Sequence, residues 1–288
     1  SNFSDPSFIS EKYPVKMRKS IRNFQLEAIT RQFPRMRQIS LYNIPSVHHQ
    51  GFQSIADNCH KLEVLKLHTV GFCPDTVMNN IMINTPLQEL LLNGNIELWN
   101  EEEQLPSFKL KKMVIIDNPK FFGKSVEILS EKCHLLESLF ISRCPNFNLE
   151  GKVEEYDTSQ DIKNMTQFLK KNKNLKYLTL SQININNKVL EGIAECNQLQ
   201  SLKIEDCFLL SNEGIKKIVG KLPNLKHITI NNTDCNAVAF NLLTDPISFP
   251  SLEEIVFNKN NRHSLINANQ LYINELIIAI HNFRKEKG

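Results

Sequence analysis

Apolar residues recur along this chain in a six-residue figure, apolar-x-x-apolar-x-apolar. Its last two members stand two positions apart and so fall on one side of an extended strand. Nine copies align: Met36-Ile39-Leu41, Leu62-Leu65-Leu67, Leu87-Leu90-Leu92, Leu110-Met113-Ile115, Leu136-Leu139-Ile141, Leu175-Leu178-Leu180, Leu199-Leu202-Ile204, Leu225-Ile228-Ile230 and Leu252-Ile255-Phe257. Their starts step by 26, 25, 23, 26, 39, 24, 26 and 27 residues. Behind most copies lies a second pattern, with apolar residues three and four apart. Phe52, Ile55, Ala56 and Cys59 show it, as do Ile215, Ile218, Val219 and Leu222, and the spacing predicts a helix.

Neither element can bury its apolar side alone, so stacked neighbours must share one continuous core. Seven of the eight steps fall in the range of a leucine-rich repeat, roughly 20 to 29 residues, and the figure matches that repeat's core. The expected fold is therefore α/β: a right-handed leucine-rich-repeat solenoid, a horseshoe with a concave parallel sheet and convex helices. Three regions follow. Residues 1–35 form an N-terminal segment and helical cap, where Phe24, Leu26, Ile29 and Phe33 match the helix half of a repeat. Residues 36–262 hold nine repeats, with an acidic insert near 147–165 that accounts for the 39-residue step. Residues 263–288 form a C-terminal capping helix: Leu271, Ile273, Leu276, Ile277 and Ile280 have helical spacing, and Arg284, Lys285 and Lys287 suit a helix C-terminus.

Charge narrows the function classes. A net charge of +3, from 34 basic and 31 acidic residues, provides no dense cationic field, so nucleic acid is not an expected partner. No apolar run is long enough to span a bilayer, so a membrane is not expected either. The seven cysteines form an odd set without the clustering of a disulfide framework, which points to a reducing, intracellular setting, cytoplasmic or nuclear. Glycosylation triplets at Asn2, Asn164 and Asn231 are expected by chance in an Asn-rich chain.

The cysteines also keep register with the repeat. Cys59, Cys133 and Cys196 each stand three residues before a first leucine, and Cys144 and Cys207 each stand three after a third apolar position. Small buried thiols fit such slots. With the 26-residue period, this pattern resembles the cysteine-containing leucine-rich repeats of F-box substrate receptors of cullin-type ubiquitin ligases, over about residues 24–260. The resemblance implies recognition of a protein substrate, with a cullin-ligase adaptor as a second partner. Residues 1–35 carry no recognisable F-box, so that adaptor would be reached through a region outside this sequence. Two other functions stay open: a stand-alone leucine-rich-repeat scaffold or regulator, including a microbial effector without an F-box, and an inositol-phosphate or small-molecule sensor. The sensor would need bases converging in the groove, whereas Lys66, Lys112 and Lys203 are spread over repeats 2, 4 and 7.

Catalytic and metal motifs fail on inspection. Gly123-Lys124-Ser125 resembles the end of a phosphate loop, but the glycine such a loop needs five residues earlier is Asn118, and in register the segment opens a convex helix. Cys59-His60 and Cys133-His134 share one slot three repeats apart, too far for a common ion. His48-His49 lacks the spacing of a metalloprotease, and no nucleophile elbow is present. No enzyme, cofactor or metal is expected.

Function then falls to the concave sheet, where the residues between buried positions face the groove. The middle row reads Ser40, Lys66, Leu91, Val114, Phe140, Thr179, Lys203, Thr229 and Val256, apolar in three successive repeats. The next row adds Tyr42, His68 and Ile116, and the row before adds Val64 and Tyr177. Leu91, Val114, Ile116, Phe140 and Tyr177 are the candidate contacts for a protein partner. Elsewhere, Glu150, Glu154, Glu155, Asp157 and Asp161 make the insert a solvated acidic loop, and the Glu101-Glu102-Glu103 run follows Trp99 in the shortest repeat, which lacks room for a full helix. Trp99 is expected to plug the core there.

Overall fold

The computed structural model describes residues 21–94, 96, 98–99, 105–121, 123–144 and 158–258. Helix α1 (Asn23–Gln32) leads into β1 (Gln38–Ile44), and the chain then alternates through α2 (His49–Asn58), β2 (Val64–Val70), α3 (Asp75–Asn84) and β3 (Glu89–Asn93). Strand β4 (Lys112–Ile116) follows β3 with no helix between them among the described residues. Regular alternation resumes with α4 (Lys124–Lys132), β5 (Ser138–Ser142), α5 (Thr158–Lys171), β6 (Tyr177–Ser181), α6 (Val189–Ile193) and β7 (Ser201–Glu205). Helix α7 (Asn212–Ile218), β8 (His227–Asn231), α8 (Ala237–Leu243) and β9 (Glu254–Asn258) complete it. The expected closing helix over 263–288 lies outside the described residues.

All nine strands form one parallel sheet in sequence order. Its register is the one the repeat predicts. Ile39, Leu65, Leu90, Met113, Leu139, Leu178, Leu202, Ile228 and Ile255 stand side by side, and so do Leu41, Leu67, Leu92, Ile115, Ile141, Leu180, Ile204, Ile230 and Phe257. These two columns point into a core shared with the helices, and nearly every member is buried. The fold is a leucine-rich-repeat solenoid.

One backbone device recurs at the entry of every strand from β2 to β9. A single carbonyl of the preceding repeat accepts two successive N–H groups: Gln88 O takes Lys111 N at 2.8 Å and Lys112 N at 3.0 Å, and Gln200 O takes Lys226 N and His227 N at 2.8 and 3.0 Å. Arg37, Glu63, Lys111, Glu137, Lys176 and Lys226 do the same, so register is held from β1 to β9. At the exit of β1 to β8 the chain turns left-handed: Asn43 and Thr69 are the next-to-last residues of β1 and β2, and Gly94, Asp117, Arg143, Gln182, Asp206 and Asn232 stand just past β3 to β8, all with positive φ. Gly94 adopts it freely, whereas the other seven carry a Cβ and are held there by neighbours. Asp117 N, for example, donates to Ser142 O at 3.1 Å and Arg143 N to Ser181 O at 3.1 Å.

The helical layer is less uniform. Helices α1 to α3 pack as one run and α4 to α8 as another. Between the runs, Trp99 is fully buried and stacks on Phe108 with ring centroids 5.6 Å apart and planes 9° from parallel, with Leu98 and Leu105 buried beside them. The second run holds this segment: Ser125 Oγ donates to Leu98 O at 2.5 Å, Asn118 Nδ2 to Ile96 O at 2.9 Å, and Phe108 N to Lys132 O at 2.8 Å. Gly123-Lys124-Ser125 does open a convex helix, with Gly123 as the cap at φ 54°. Glu101, Glu102 and Glu103 lie outside the described residues.

Two expectations need correction. The insert is not loop throughout 147–165, because α5 begins at Thr158. Asp161, expected in solvent, is buried on the same helix stripe as Met165 and Phe168, four and seven residues on. Glu150, Glu154, Glu155 and Asp157 lie outside the described residues. In α1 the buried residues are Leu26 and Thr30, while Phe24 and Phe33 are exposed; among the described helices the cap helix packs on α2 alone.

Candidate functional site

Between the two buried columns the sheet presents three outward rows. In the middle row Leu91, Val114 and Phe140 are direct neighbours on β3, β4 and β5. All three are half-buried, as side chains on a concave face must be when neighbouring strands lie about 4.8 Å apart. Tyr177 occupies the row before, beside Ser138 of β5; it is 44% exposed and its hydroxyl donates to Gln200 Oε1 at 3.4 Å.

Ile116 does not join this surface. It is only 8% exposed, and its row is sunken across the middle strands, where Ser142 and Ser181 are buried as well. Ile116 is the last residue of β4, flanked in register by Asn93 and Ser142, and the chain turns left-handed directly after it. That turn also carries the Asp117–Arg143 pair, in which Arg143 Nε and Nη2 donate to the Asp117 carboxylate at 2.5 and 2.7 Å. Hydrogen bonding from Arg143 holds the Asp117 carboxyl below its ordinary range, and the reciprocal bond raises the guanidinium's.

Charge surrounds the apolar row without entering it. Lys112 Nζ lies 3.9 Å from Glu89, Lys203 Nζ lies 3.1 Å from Glu205, and His227 Nδ1 lies 3.3 Å from Glu254. Tyr42 and His68 form a tilted ring pair 5.8 Å apart toward the N-terminal end. The centre of the groove is therefore a neutral, apolar strip three strands wide, bounded by Lys66 on β2 and Thr179 on β6.

The remaining chemistry-bearing groups are structural where they are described. All seven cysteines are free and buried. Burial pushes the Cys144, Cys196 and Cys207 thiols up to about 12, so they stay protonated at neutral pH and are poor nucleophiles. They serve as weak donors instead: Cys196 Sγ reaches Leu169 O at 3.3 Å and Cys207 Sγ reaches Glu205 O at 3.3 Å. Asn118 occupies the slot that Cys144 and Cys207 take in their repeats; an Asn three residues after the third apolar position was the sequence signal for that buried tie. Among the described residues no group of three or more His, Cys, Asp or Glu side chains is placed to hold a metal ion. Asn164 is buried and accepts from Gln160 Nε2 at 2.8 Å, and Asn231 donates to Glu205 Oε1 at 3.2 Å, so both triplets are engaged in packing. No described helix is long and apolar enough to cross a membrane.

No family model matches this sequence, and no curated protein matches it. Among solved structures, the chain is similar to the crystal structure of an internalin from Listeria monocytogenes, itself a leucine-rich-repeat protein, at 18% identity and a TM-score of 0.51. The match covers 84% of this chain and 65% of the internalin, so the chain spans less than two thirds of its neighbour's length. At that identity the likeness is one of fold. A second match, to the actin-binding site 2 of leiomodin-1, has 14% identity over 56% of this chain and 91% of that one, and its TM-score of 0.33 carries no argument.

Proposed function

We propose that this leucine-rich-repeat solenoid is a protein-interaction module that seats a partner in its groove, and that it serves as the substrate-recognising part of an F-box-type ubiquitin ligase. The observation that carries the module reading is the neutral apolar strip of Leu91, Val114 and Phe140, with Tyr177 beside it. Such a row spans roughly 10 Å, enough for one face of a helix or an extended peptide. Each side chain is already half-buried, so a partner gains about half of the roughly 1.5–3 kcal/mol that full burial contributes. The ligase reading is supported by the cysteine slots alone. Within it, residues 36–262 bind substrate, 1–35 and 263–288 close the ends, the adaptor binds through a region outside this sequence, and the protein works inside the cell.

Affinity capture on the purified chain and its Leu91→Ala/Phe140→Ala variant tests both levels. The variant should keep its thermal midpoint and retain a captured partner at least tenfold more weakly, about 1.4 kcal/mol. Equal retention would move the interaction off the strip. A cullin adaptor that co-purifies with the full-length protein, and is unaffected by the variant, is the expected mark of the ligase role. Consistent absence of that adaptor would leave a stand-alone scaffold.

A further inference from the structure

The net charge of +3 conceals an uneven distribution between the two edges of the sheet. Because one carbonyl per repeat fixes each strand's entry, the loops that run from helix into strand are aligned along one edge, with neighbouring entries about 4.8 Å apart. That edge carries Arg35, Lys61, Lys109, Lys111 and Lys221, all exposed, and none forms an ion pair among the described residues. Most of its acids are matched by a base; the exception is Asp245, whose carboxylate accepts only from Ile247 N and Ser248 in the loop before β9. Glu63 faces Arg37 at 3.7 Å, Glu137 takes Lys176 at 2.8 Å, Glu195 takes Lys173 at 3.3 Å, and Glu253 takes Lys226 at 2.9 Å. The described part of the opposite edge is balanced, with Lys120, Arg143 and Lys188 set against Asp117, Asp206 and Asp234.

Lysines in a helix's last turn answer the helix dipole, but these five bases stand beyond the helix ends, four of them beside the first apolar residue of a strand repeat. The same edge also exposes three large apolar side chains: Phe33 (52%) before β1, Leu135 (48%) before β5 and Ile247 (89%) before β9. They are four strands apart, or about 19 Å per interval. A compact protein knob would need them contiguous, and a nucleic-acid backbone has no place for an isolated leucine or isoleucine. A flat surface that is anionic outside and apolar just beneath accommodates both the bases and the separated tips.

We propose that the strand-entry edge of the solenoid docks on an anionic lipid bilayer, with its unpaired bases against the headgroups and Phe33, Leu135 and Ile247 dipping into the interface. This surface is separate from the groove, so either assignment can fail without the other. The test is co-sedimentation of the full chain with vesicles of phosphatidylcholine alone and of phosphatidylcholine containing phosphatidylserine. Binding should require phosphatidylserine and fall with added salt. Each base against such a surface strengthens binding about fivefold, so Lys61→Glu/Lys109→Glu/Lys111→Glu should weaken it by well over tenfold. Leu135→Ser should weaken it less, without changing the salt dependence, and Leu91→Ala/Phe140→Ala should not change it. Unfolding midpoints show that each variant is folded; were the triple variant unstable, the three single Lys→Ala changes replace it. No sedimentation with phosphatidylserine at low salt, equal binding to neutral vesicles, or full binding by the lysine variants would each overturn the proposal. Tighter binding to duplex RNA than to vesicles would reassign the edge to nucleic acid.

Discussion

The inner and outer layers of this solenoid obey different standards. The sheet runs unbroken through all nine strands, while among the described residues the helical layer stops after α3 and restarts at α4. Among the described residues, the buried side-chain polar atoms without a close hydrogen-bond partner fall mostly in the outer layer, on Asn79, Trp99, Ser130 and Asn172, and in the sheet on Asn231 alone. Each strand after β1 is fixed twice, by its paired aliphatic columns and by the shared carbonyl at its entry. The outer layer is required only to cover the core, and stacked Trp99 and Phe108 cover it where the described residues form no helix. An unmade buried hydrogen bond costs roughly 1–3 kcal/mol, so the compromises gather where register is not at stake.

The largest effect that would break this comparison is loss of the plug. Trp99→Ala should cost roughly 3–5 kcal/mol in urea unfolding, as much as or more than Leu178→Ala in the inner column of a regular repeat, about 2–5 kcal/mol. A cost below about 1 kcal/mol at Trp99 would mean that the sheet alone carries the junction and that the outer layer is dispensable there.

A smaller effect sharpens it. Asn118 bonds to Ile96 O and also accepts from Lys120 N at 2.9 Å, whereas the Cys144 thiol, in the same slot of the next repeat, makes weak contacts such as that with Ser142 O at 3.6 Å. Asn118→Ala should cost about 1–3 kcal/mol, and Cys144→Ala less, because only the first slot faces the interrupted layer. Equal costs would make the slot generic and detach it from the plug.

The smallest effect is one of sign. Burial pushes the Asp161 carboxyl above its ordinary value of 3.8, and the Gly123 backbone N–H nearby offsets this only in part. The folded state therefore holds that proton more tightly than the unfolded chain, and the resulting stability is full below pH 3.8 and lost as pH rises through the folded value. Asp161→Asn should be more stable than the parent at neutral pH and indistinguishable from it in acid, read as the difference between two urea midpoints across that range. A difference that stays constant with pH would show that Asp161 is already protonated throughout or does not titrate with folding. Asp117, held down by Arg143, works in the opposite sense at an exposed pair, where the effect is small.

The same contrast explains what could be read from the residues alone. Strand register was legible because two columns of buried residues repeat at near-constant spacing, and a slip of one residue would turn every side chain over. That the shortest repeat shows no helix among its described residues was legible from its length, and Trp99 was legible there as a core plug. Ile116 was not, because alternation treats all outward positions alike, while its burial depends on Asn93, Ser142 and the turn beside it. Asp161 was read as solvated from its acidic company. Ile162, Met165, Phe168 and Leu169 carried the helical spacing that places it inside, but that stripe lay across the boundary of the insert. The uneven edges escaped notice because a net charge sums over both.

The entry carbonyl has a consequence for how such a chain can change size. Since every junction uses the same pair of N–H groups on the same kind of acceptor, the strand after Lys176 and the strand after Gln200 present interchangeable starts to the repeat before them. Length in this architecture is consequently a whole-number property. A unit running from one strand entry to the next can be duplicated or lost as a block with every main-chain bond re-formed. A gain of a few residues must be absorbed past the strand exit, on the way to the next helix, and that is where the one long step of this chain occurs, between Ser142 and Thr158.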